Sequence, residues 1–261
     1  MTVSTPANTP EWMHVEGAHD AMPVLLVSGL GGTAAFWEPV RARLEASCRI
    51  VCYDQPGCGL RPAPENALSI DQLAEDAEKV ARRTFGERPI ALIGHSTGGA
   101  IAQTFAARWP DRVSKLVLSG TWLRPNTYMH ELFAFRSALL RAAPELSAGC
   151  NALLTNTPDA IEPDSLAPQS MDETRIATTL DRIEALMAFE GTAQLNRINC
   201  DTLILGVEDD RVIPADRQRD LHAELSHAEM TIFPDGGHFY PRTQPESFSQ
   251  RVSVWLGLTN E

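Results

Sequence analysis

Cysteine is scarce in this chain: there are five in 261 residues (Cys48, Cys52, Cys58, Cys150 and Cys200), odd in number and widely spread. That excludes a disulfide framework and the paired CxxC spacing of a zinc site, and a reducing cytoplasmic setting is expected. Positive charge is short as well. Lys plus Arg total 22 against 34 Asp plus Glu, a net charge of -12, so phosphate backbones and anionic membrane faces would repel the chain and no nucleic-acid partner is expected. No stretch approaches the roughly 18 consecutive apolar residues of a membrane span. The opening MTVSTPANTPEWMHVEG has no basic start followed by an apolar run, so neither secretion nor a membrane partner is expected. Internal repeats and low-complexity runs are missing too, and the Thr- and Pro-rich first ten residues read as a loose end. What is present is 43% hydrophobic and 21% charged residues. That is enough apolar surface to offset ordering entropy in a soluble globular protein, at a length α/β folds fill as one domain.

Short apolar runs bounded by turn residues recur: VLLVSG at 24–29, RIVCYD at 49–54, PIALIG at 89–94, KLVLSG at 115–120 and TLILGV at 202–207. Each reads as a buried parallel strand. Helical stretches separate the first four: WEPVRARLEAS, SIDQLAEDAEKVARRTF and GGAIAQTFAARW. Ser69 with Gln72 three residues on is a capping-box pattern at the start of the second. Alternation of this kind predicts an α/β fold with a mostly parallel, doubly wound sheet. It breaks between Thr121 and Asn199, where ELFAFRSALLRAAPEL and ETRIATTLDRIEALMAF have helical spacing. The predicted organisation is therefore a core of residues 1–120 and 200–261 with an inserted helical cap at 121–199. Alternation resumes with TLILGV, a helix from about Ala215 to Leu225, the strand EMTIFP and a closing helix around SFSQRVSVWL.

The strand PIALIG runs directly into Gly94-His95-Ser96-Thr97-Gly98 and then into a helix. That is the strand, elbow, helix setting in which G-x-S-x-G exposes a nucleophilic serine, here Ser96, with the helix amides aimed at developing negative charge. A serine needs a base, and the base an orienting acid. His238, in Pro-Asp-Gly-Gly-His-Phe after EMTIF, is the candidate base by position, whereas His14, His19, His222 and His227 have polar settings. The acid lies among Glu208, Asp209 and Asp210 after TLILGV; TWLRPN, after KLVLSG, contains none. Counting from Gly206 favours Asp209, and counting back from Pro214, which fixes the far end of the loop, favours Asp210; the proline is the firmer anchor. An oxyanion hole is expected from the backbone amides of Thr97 and of Leu30 in Ser28-Gly29-Leu30-Gly31-Gly32.

That same loop supports a rival reading. Gly29-Leu30-Gly31-Gly32-Thr33-Ala34 matches G-x-G-x-x-A, and Asp54 ends the next strand twenty residues beyond Ala34, as a dinucleotide fingerprint requires. It explains none of Ser96, Asp210 or His238, and neither Lys79 nor Lys115 has a tyrosine four residues earlier. His222, Glu224 and His227 do not form H-E-x-x-H, so no metal site and no cofactor are expected.

SGLGG, YDQPGCG, GHSTGG, DDRVIP and GGHF, in this order, resemble the α/β-hydrolase superfamily over nearly the whole chain. Within it, VLLVSGLGGTAAFW, VCYDQPGCG, GTWLRPN and LNRINCDTLILGVEDDRVIP are most similar to aminoacrylate hydrolases of pyrimidine degradation, with 3-oxoadipate enol-lactonases as relatives. One departure is Ser28, where histidine usually precedes the glycine of the oxyanion loop, so how that loop is braced is an open point. The resemblance implies an α/β-hydrolase fold and a cofactor-free serine hydrolase of a small ester, lactone or related carbonyl compound. Alternatives are C–N or C–C bond hydrolysis by the same triad, or a small-molecule receptor with a vestigial one. The cap supplies Trp122, Met129, Phe133, Phe135, Met187 and Phe189, some expected to face the serine, and Arg124 and Arg136 as cations for a substrate carboxylate. Oligomeric state is not legible.

Overall fold

The computed structural model describes residues 9–258, so the loose end read at the first ten residues falls mostly outside the described residues. Every apolar run becomes a strand: β2 (Met22–Val27), β3 (Cys48–Tyr53), β4 (Ile90–His95), β5 (Val113–Ser119), β6 (Asp201–Val207) and β7 (Glu229–Phe233). They pair in parallel, and β1 (Met13–Glu16) adds antiparallel to β3 at one edge, giving the order β1-β3-β2-β4-β5-β6-β7. The sequence reading does not contain β1. Only Met13 and Val15 point inward from its four residues, too short an alternation to register, and the strand forms because Met13 pairs opposite Tyr53 and Val15 opposite Val51.

Alternate residues of each strand serve opposite faces. Val24 and Leu26 pack in one apolar cluster with Trp37, Val40, Phe248 and Val252, while Leu25 and Val27 pack in the other with Leu73, Ala77, Ile101 and Phe105. A strand buried on both sides has no polar face to show, which is why the runs are uninterrupted. The first cluster is covered by α1 (Glu38–Leu44) and the closing α9 (Pro245–Leu256), the second by α2 (Ile70–Phe85) and α3 (Thr97–Arg108). α2 opens with the expected box: the Gln72 amide donates to Ser69 Oγ and the Ser69 amide to Gln72 Oε1.

Residues 121–199 contribute no strand. They form α4 (Thr127–Ala142), α5 (Ser147–Thr155) and α6 (Glu173–Met187) with short 3-10 turns between them. Asn126 and Asp172 cap α4 and α6, each accepting from the amide three residues on. Trp122, Met129, Phe133, Ile183, Leu186 and Phe189 are buried in the same cluster as α2 and α3, so this segment is packed onto the core. Phe135 does not join them: it is 60% exposed. α4 buries Met129, Phe133, Ser137 and Leu140, and a residue two positions from Phe133 lies on the opposite side of the helix. After β6 come α7 (Ala215–Glu224) and the short α8 (Tyr240–Thr243). Among the described residues no helix is long and apolar enough to cross a membrane.

Candidate active site

Because six strands run parallel, the loops leaving their C-terminal ends share one edge of the sheet, where α/β folds build sites. Ser96 stands there between β4 and α3 with φ 56° and ψ -124°, and among the described residues it is the sole non-glycine at positive φ. Strain of that kind costs on the order of 1–3 kcal/mol and persists only where neighbours enforce it. The enforcement is backbone crowding. A Cβ on Gly94 would lie 2.2 Å from the Gly98 carbonyl oxygen, and one on Gly98 would lie 2.1 Å from the Val27 oxygen. The Ser96 amide donates to the Ser119 carbonyl at 2.8 Å, tying the elbow to β5.

His238 reaches Ser96 from the loop after β7. Its Nε2 lies 2.9 Å from Ser96 Oγ and its Nδ1 2.7 Å from Asp210 Oδ2. All three residues are buried, with 6%, 4% and 5% exposure for Ser96, His238 and Asp210, so water competes little for these bonds. Asp210 Oδ1 accepts from the amides of Val212 and Ile213, each at 2.8 Å, which fixes the carboxylate plane. Asp209 is also engaged, but elsewhere: its Oδ1 accepts from the Gly237 amide at 2.8 Å and pins the loop that carries His238. The structure thus brings Asp210 to the imidazole and Asp209 to the backbone next to it.

Leu30 and Thr97 lie on the two backbone segments beside Ser96. Thr97 opens α3, where first-turn amides have no intrahelical acceptor. The loop after β2 passes so close that a Cβ on Gly29 would be 3.0 Å from Ser96 Cβ and 3.4 Å from its Oγ.

Several contributors were not read from sequence. His95 is fully buried, stacked on Phe36 at 5.0 Å between centroids and 4.9 Å from the His238 ring. Its Nδ1 is 3.1 Å from Ser119 Oγ. Burial, then the charge of His238, pushes its pKa well below the ordinary imidazole value, so it is neutral at pH 7. Tyr128, at the start of α4, donates to the Arg211 carbonyl at 2.5 Å; burial, then the Asp210 charge, pushes its phenol pKa up. The G-H-S in the sequence marked the position of His95, but its packing partners lie far away in sequence.

Asp54 has a different task from the one a dinucleotide fingerprint would give it. Its Oδ1 accepts from the Ala34 amide and its Oδ2 from the Leu60 amide, both at 2.8 Å, so both oxygens brace loops and neither is offered to a ribose. Arg124 lies on the outside, 3.1 Å from Thr192 Oγ1 in a groove it shares with Arg217, Asp220 and Glu224. Arg136 is half-buried, with Nη2 2.9 Å from Asn151 Oδ1 and its guanidinium over the Phe133 ring; burial pushes its pKa down. Among the described residues no group of three His, Cys, Asp or Glu side chains is placed to hold a metal ion.

Residues 24–251 match the Alpha/beta hydrolase family. The chain is 33% identical over 263 residues to the protein named "Putative carbamate hydrolase RutD" of Variovorax paradoxus (strain S110), covering 95% of this chain and 96% of the relative. It is 31% identical over 243 residues to the protein of the same name from Escherichia coli (strain K12 / DH10B), covering 88% of this chain and 89% of that one. Its fold is similar to the enol-lactonase from Burkholderia xenovorans LB400, with a TM-score of 0.82 and 22% identity over 94% of this chain and 95% of the other. The thermophilic esterase from Thermogutta terrifontis gives a TM-score of 0.79 and 22% identity over 94% and 92%.

Proposed function

The chain belongs to the alpha/beta hydrolase family and is a hydrolase; from that premise we propose that it cleaves a small ester, lactone or related carbonyl compound by serine catalysis, without a cofactor. The observation that carries this reading is the unbroken, buried hydrogen-bonded line from Ser96 Oγ through His238 to Asp210, with links of 2.9 and 2.7 Å, at a backbone elbow held under strain. Ser96 Oγ attacks the carbonyl carbon while His238 Nε2 takes its proton. Asp210 holds the other proton on Nδ1 and stabilises the imidazolium. The carbonyl oxygen, now anionic, is met by the amides of Leu30 and Thr97. The bond to the leaving oxygen breaks as His238 returns the proton to it, leaving an acyl-serine. Water, deprotonated by the same imidazole, then releases the acid and restores Ser96.

Residues 121–199 act in this reading as a cap over the site that selects the substrate. A second reading, C–N bond hydrolysis by the same residues, is supported by the names of the relatives above 30% identity. The substrate is a small molecule, with no nucleic-acid or membrane partner. The five cysteines are unpaired, which supports a cytoplasmic setting. The test is reaction of the protein with a fluorophosphonate, followed by mapping of the adduct, alongside turnover of short p-nitrophenyl esters. The expected outcome is one adduct, on Ser96, and turnover that Ser96→Ala lowers by about 10³-fold or more. An adduct elsewhere, or a Ser96→Ala variant with wild-type turnover, refutes it, and a single slow event without turnover identifies a receptor.

A further inference from the structure

The loop that follows β2 needs a brace, and its own leading side chain does not supply one: Ser28 Oγ is buried with no hydrogen-bond partner. The brace comes from the loop after β3. Gln55, 1% exposed, donates from Nε2 to the Ser28 carbonyl at 2.7 Å. Its own amide donates to the Gly32 carbonyl at 2.7 Å. Gln55 therefore holds both ends of the Ser28–Gly32 segment, with Leu30 in its middle. The other end of the Gln55 side chain is held in turn. Arg182 of α6, 127 residues away in sequence and 4% exposed, donates from Nη1 to Gln55 Oε1 at 2.8 Å and from Nη2 to the Pro56 carbonyl at 2.9 Å.

Both of those acceptors are neutral. Burying a guanidinium against neutral oxygens is expensive compared with pairing it or leaving it in water, and a stem of similar length without charge would fill the same space. What the charge adds is orientation. A cation on Oε1 fixes which end of the Gln55 amide is oxygen, and so obliges Nε2 to face Ser28. The amide cannot flip without setting its NH2 against the guanidinium.

We propose that Gln55 and Arg182 are positioning residues for the oxyanion site: Arg182, from the helical insertion, orients the Gln55 amide, and Gln55 holds the Ser28–Gly32 loop at the height that aims the Leu30 amide at the reacting oxygen. This rests on the serine-hydrolase reading above. It concerns the developing oxyanion, so it acts on the chemical step and not on ground-state binding.

The test is Gln55→Glu. A carboxylate of the same shape keeps, and strengthens, the bond from Arg182, but puts a second oxygen against the Ser28 carbonyl where a donor stood. In steady-state hydrolysis of p-nitrophenyl acetate, kcat is expected to fall by roughly 10- to 100-fold, less than the roughly 10²–10³ of losing an oxyanion donor outright, because the Leu30 amide is displaced and not deleted. KM is expected to stay within about twofold. A small alkylboronic acid, whose tetrahedral adduct on serine places an oxygen in the oxyanion site, is expected to lose affinity in proportion to kcat. A merely structural role would not tie inhibitor affinity to kcat at constant KM. Gln55→Met, which removes both polar ends at similar length, is expected to show the same loss and serves if Gln55→Glu does not fold. Arg182→Met, which leaves Gln55 free to flip, is expected to lose about three- to tenfold in kcat with part of the boronate affinity, and Arg182→Lys to recover some of both. Wild-type kcat and boronate affinity in the folded Gln55 variants overturn the proposal while leaving the serine-hydrolase reading intact. Failure of the wild type to turn over the ester or to take the fluorophosphonate on Ser96 overturns both.

Discussion

Changing Asp210 to asparagine exchanges one carboxylate oxygen for an NH2 and leaves the shape intact; the structure dictates which oxygen is exchanged. Oδ1 accepts two backbone amides, from Val212 and Ile213, each at 2.8 Å. An NH2 there would oppose two donors, so the asparagine oxygen must stay at that position and its nitrogen must face His238 Nδ1, now 2.7 Å from Oδ2. A donor at Nδ1 forces the imidazole proton onto Nε2, the atom 2.9 Å from Ser96 Oγ. The base then has no lone pair for the serine proton. Loss of the correct tautomer is worth roughly 10⁴ in kcat where the same arrangement operates, about 5 kcal/mol of barrier at 1.36 kcal/mol per decade. Asp209→Asn is the matched control, because the bond that the Gly237 amide donates to Oδ1 is kept by an asparagine oxygen. It should retain kcat within about threefold, and Asp209→Ala should lose about 1 kcal/mol of stability with the missing bond. The assay is steady-state hydrolysis of a p-nitrophenyl ester by both variants, with urea unfolding to show that each is folded. A folded Asp210→Asn enzyme within tenfold of wild type, or Asp209→Asn as the inactive one, would refute the tautomer argument.

His95 should make stability depend on pH. Its folded-state pKa is lowered by burial, so the unfolded chain takes the proton first as pH falls below the ordinary 6.5; stability present above that pH is lost toward lower pH, by at most about 1.4 kcal/mol per unit. Urea midpoints between pH 7.5 and 5 should show this slope and His95→Asn should flatten it; an equal slope in the variant would count against a neutral His95. Asp54→Asn can serve only one of the Ala34 and Leu60 amides, and should cost about 1–3 kcal/mol in urea unfolding. Unchanged stability would mean that the two bonds do not brace their loops. If Arg136 pairs with a substrate carboxylate, Arg136→Ala should lower kcat/KM for a carboxylate-bearing ester by roughly ten- to a hundredfold, the cost of one charge-assisted contact, and leave a neutral ester of similar size unaffected, whereas no loss on either means that the arginine serves only its Asn151 and Phe133 contacts. Equal losses on both would make Arg136 structural.

The parts of the fold legible in sequence were those with local causes. A strand buried on both faces must be apolar throughout, so β2 to β6 announced themselves. The capping box of α2 is written in two residues three apart. Asp210 could be chosen over Asp209 because Pro214 stands just ahead of α7 and fixes the length of the loop. What stayed hidden had distant causes or no pattern. β1 is defined by its partner β3 more than by its own four residues. The exposure of Phe135 was legible in principle, since Phe133 and Phe135 cannot share one helix face, but helical spacing alone does not say which of the two faces inward. The G-x-G-x-x-A match was sound as a pattern, but both Asp54 oxygens are taken up by the Ala34 and Leu60 amides, contacts that the spacing of the glycines does not reveal. The Gln55 to Arg182 contact bridges 127 residues, and nothing near either residue points to the other.

That last contact bears on how the insertion and the chemistry are joined. The insertion leaves the sheet after β5 and returns at β6, so Ser96, His238 and Asp210 all lie outside it, on loops whose positions depend on β4, β6 and β7. On those grounds alone the helices could be exchanged for others to change the substrate at no cost in rate. Arg182 removes that independence. It is an insertion residue whose hydrogen bonds end on Gln55 and Pro56 of the core, and through Gln55 on the loop that carries Leu30. A transplanted insertion lacking an arginine at this place should therefore bind its new substrate yet turn it over slowly, with the deficit in kcat. Restoring the arginine in that chimera should raise kcat with little change in KM, whereas an insertion that acted on substrate fit alone would gain nothing from it.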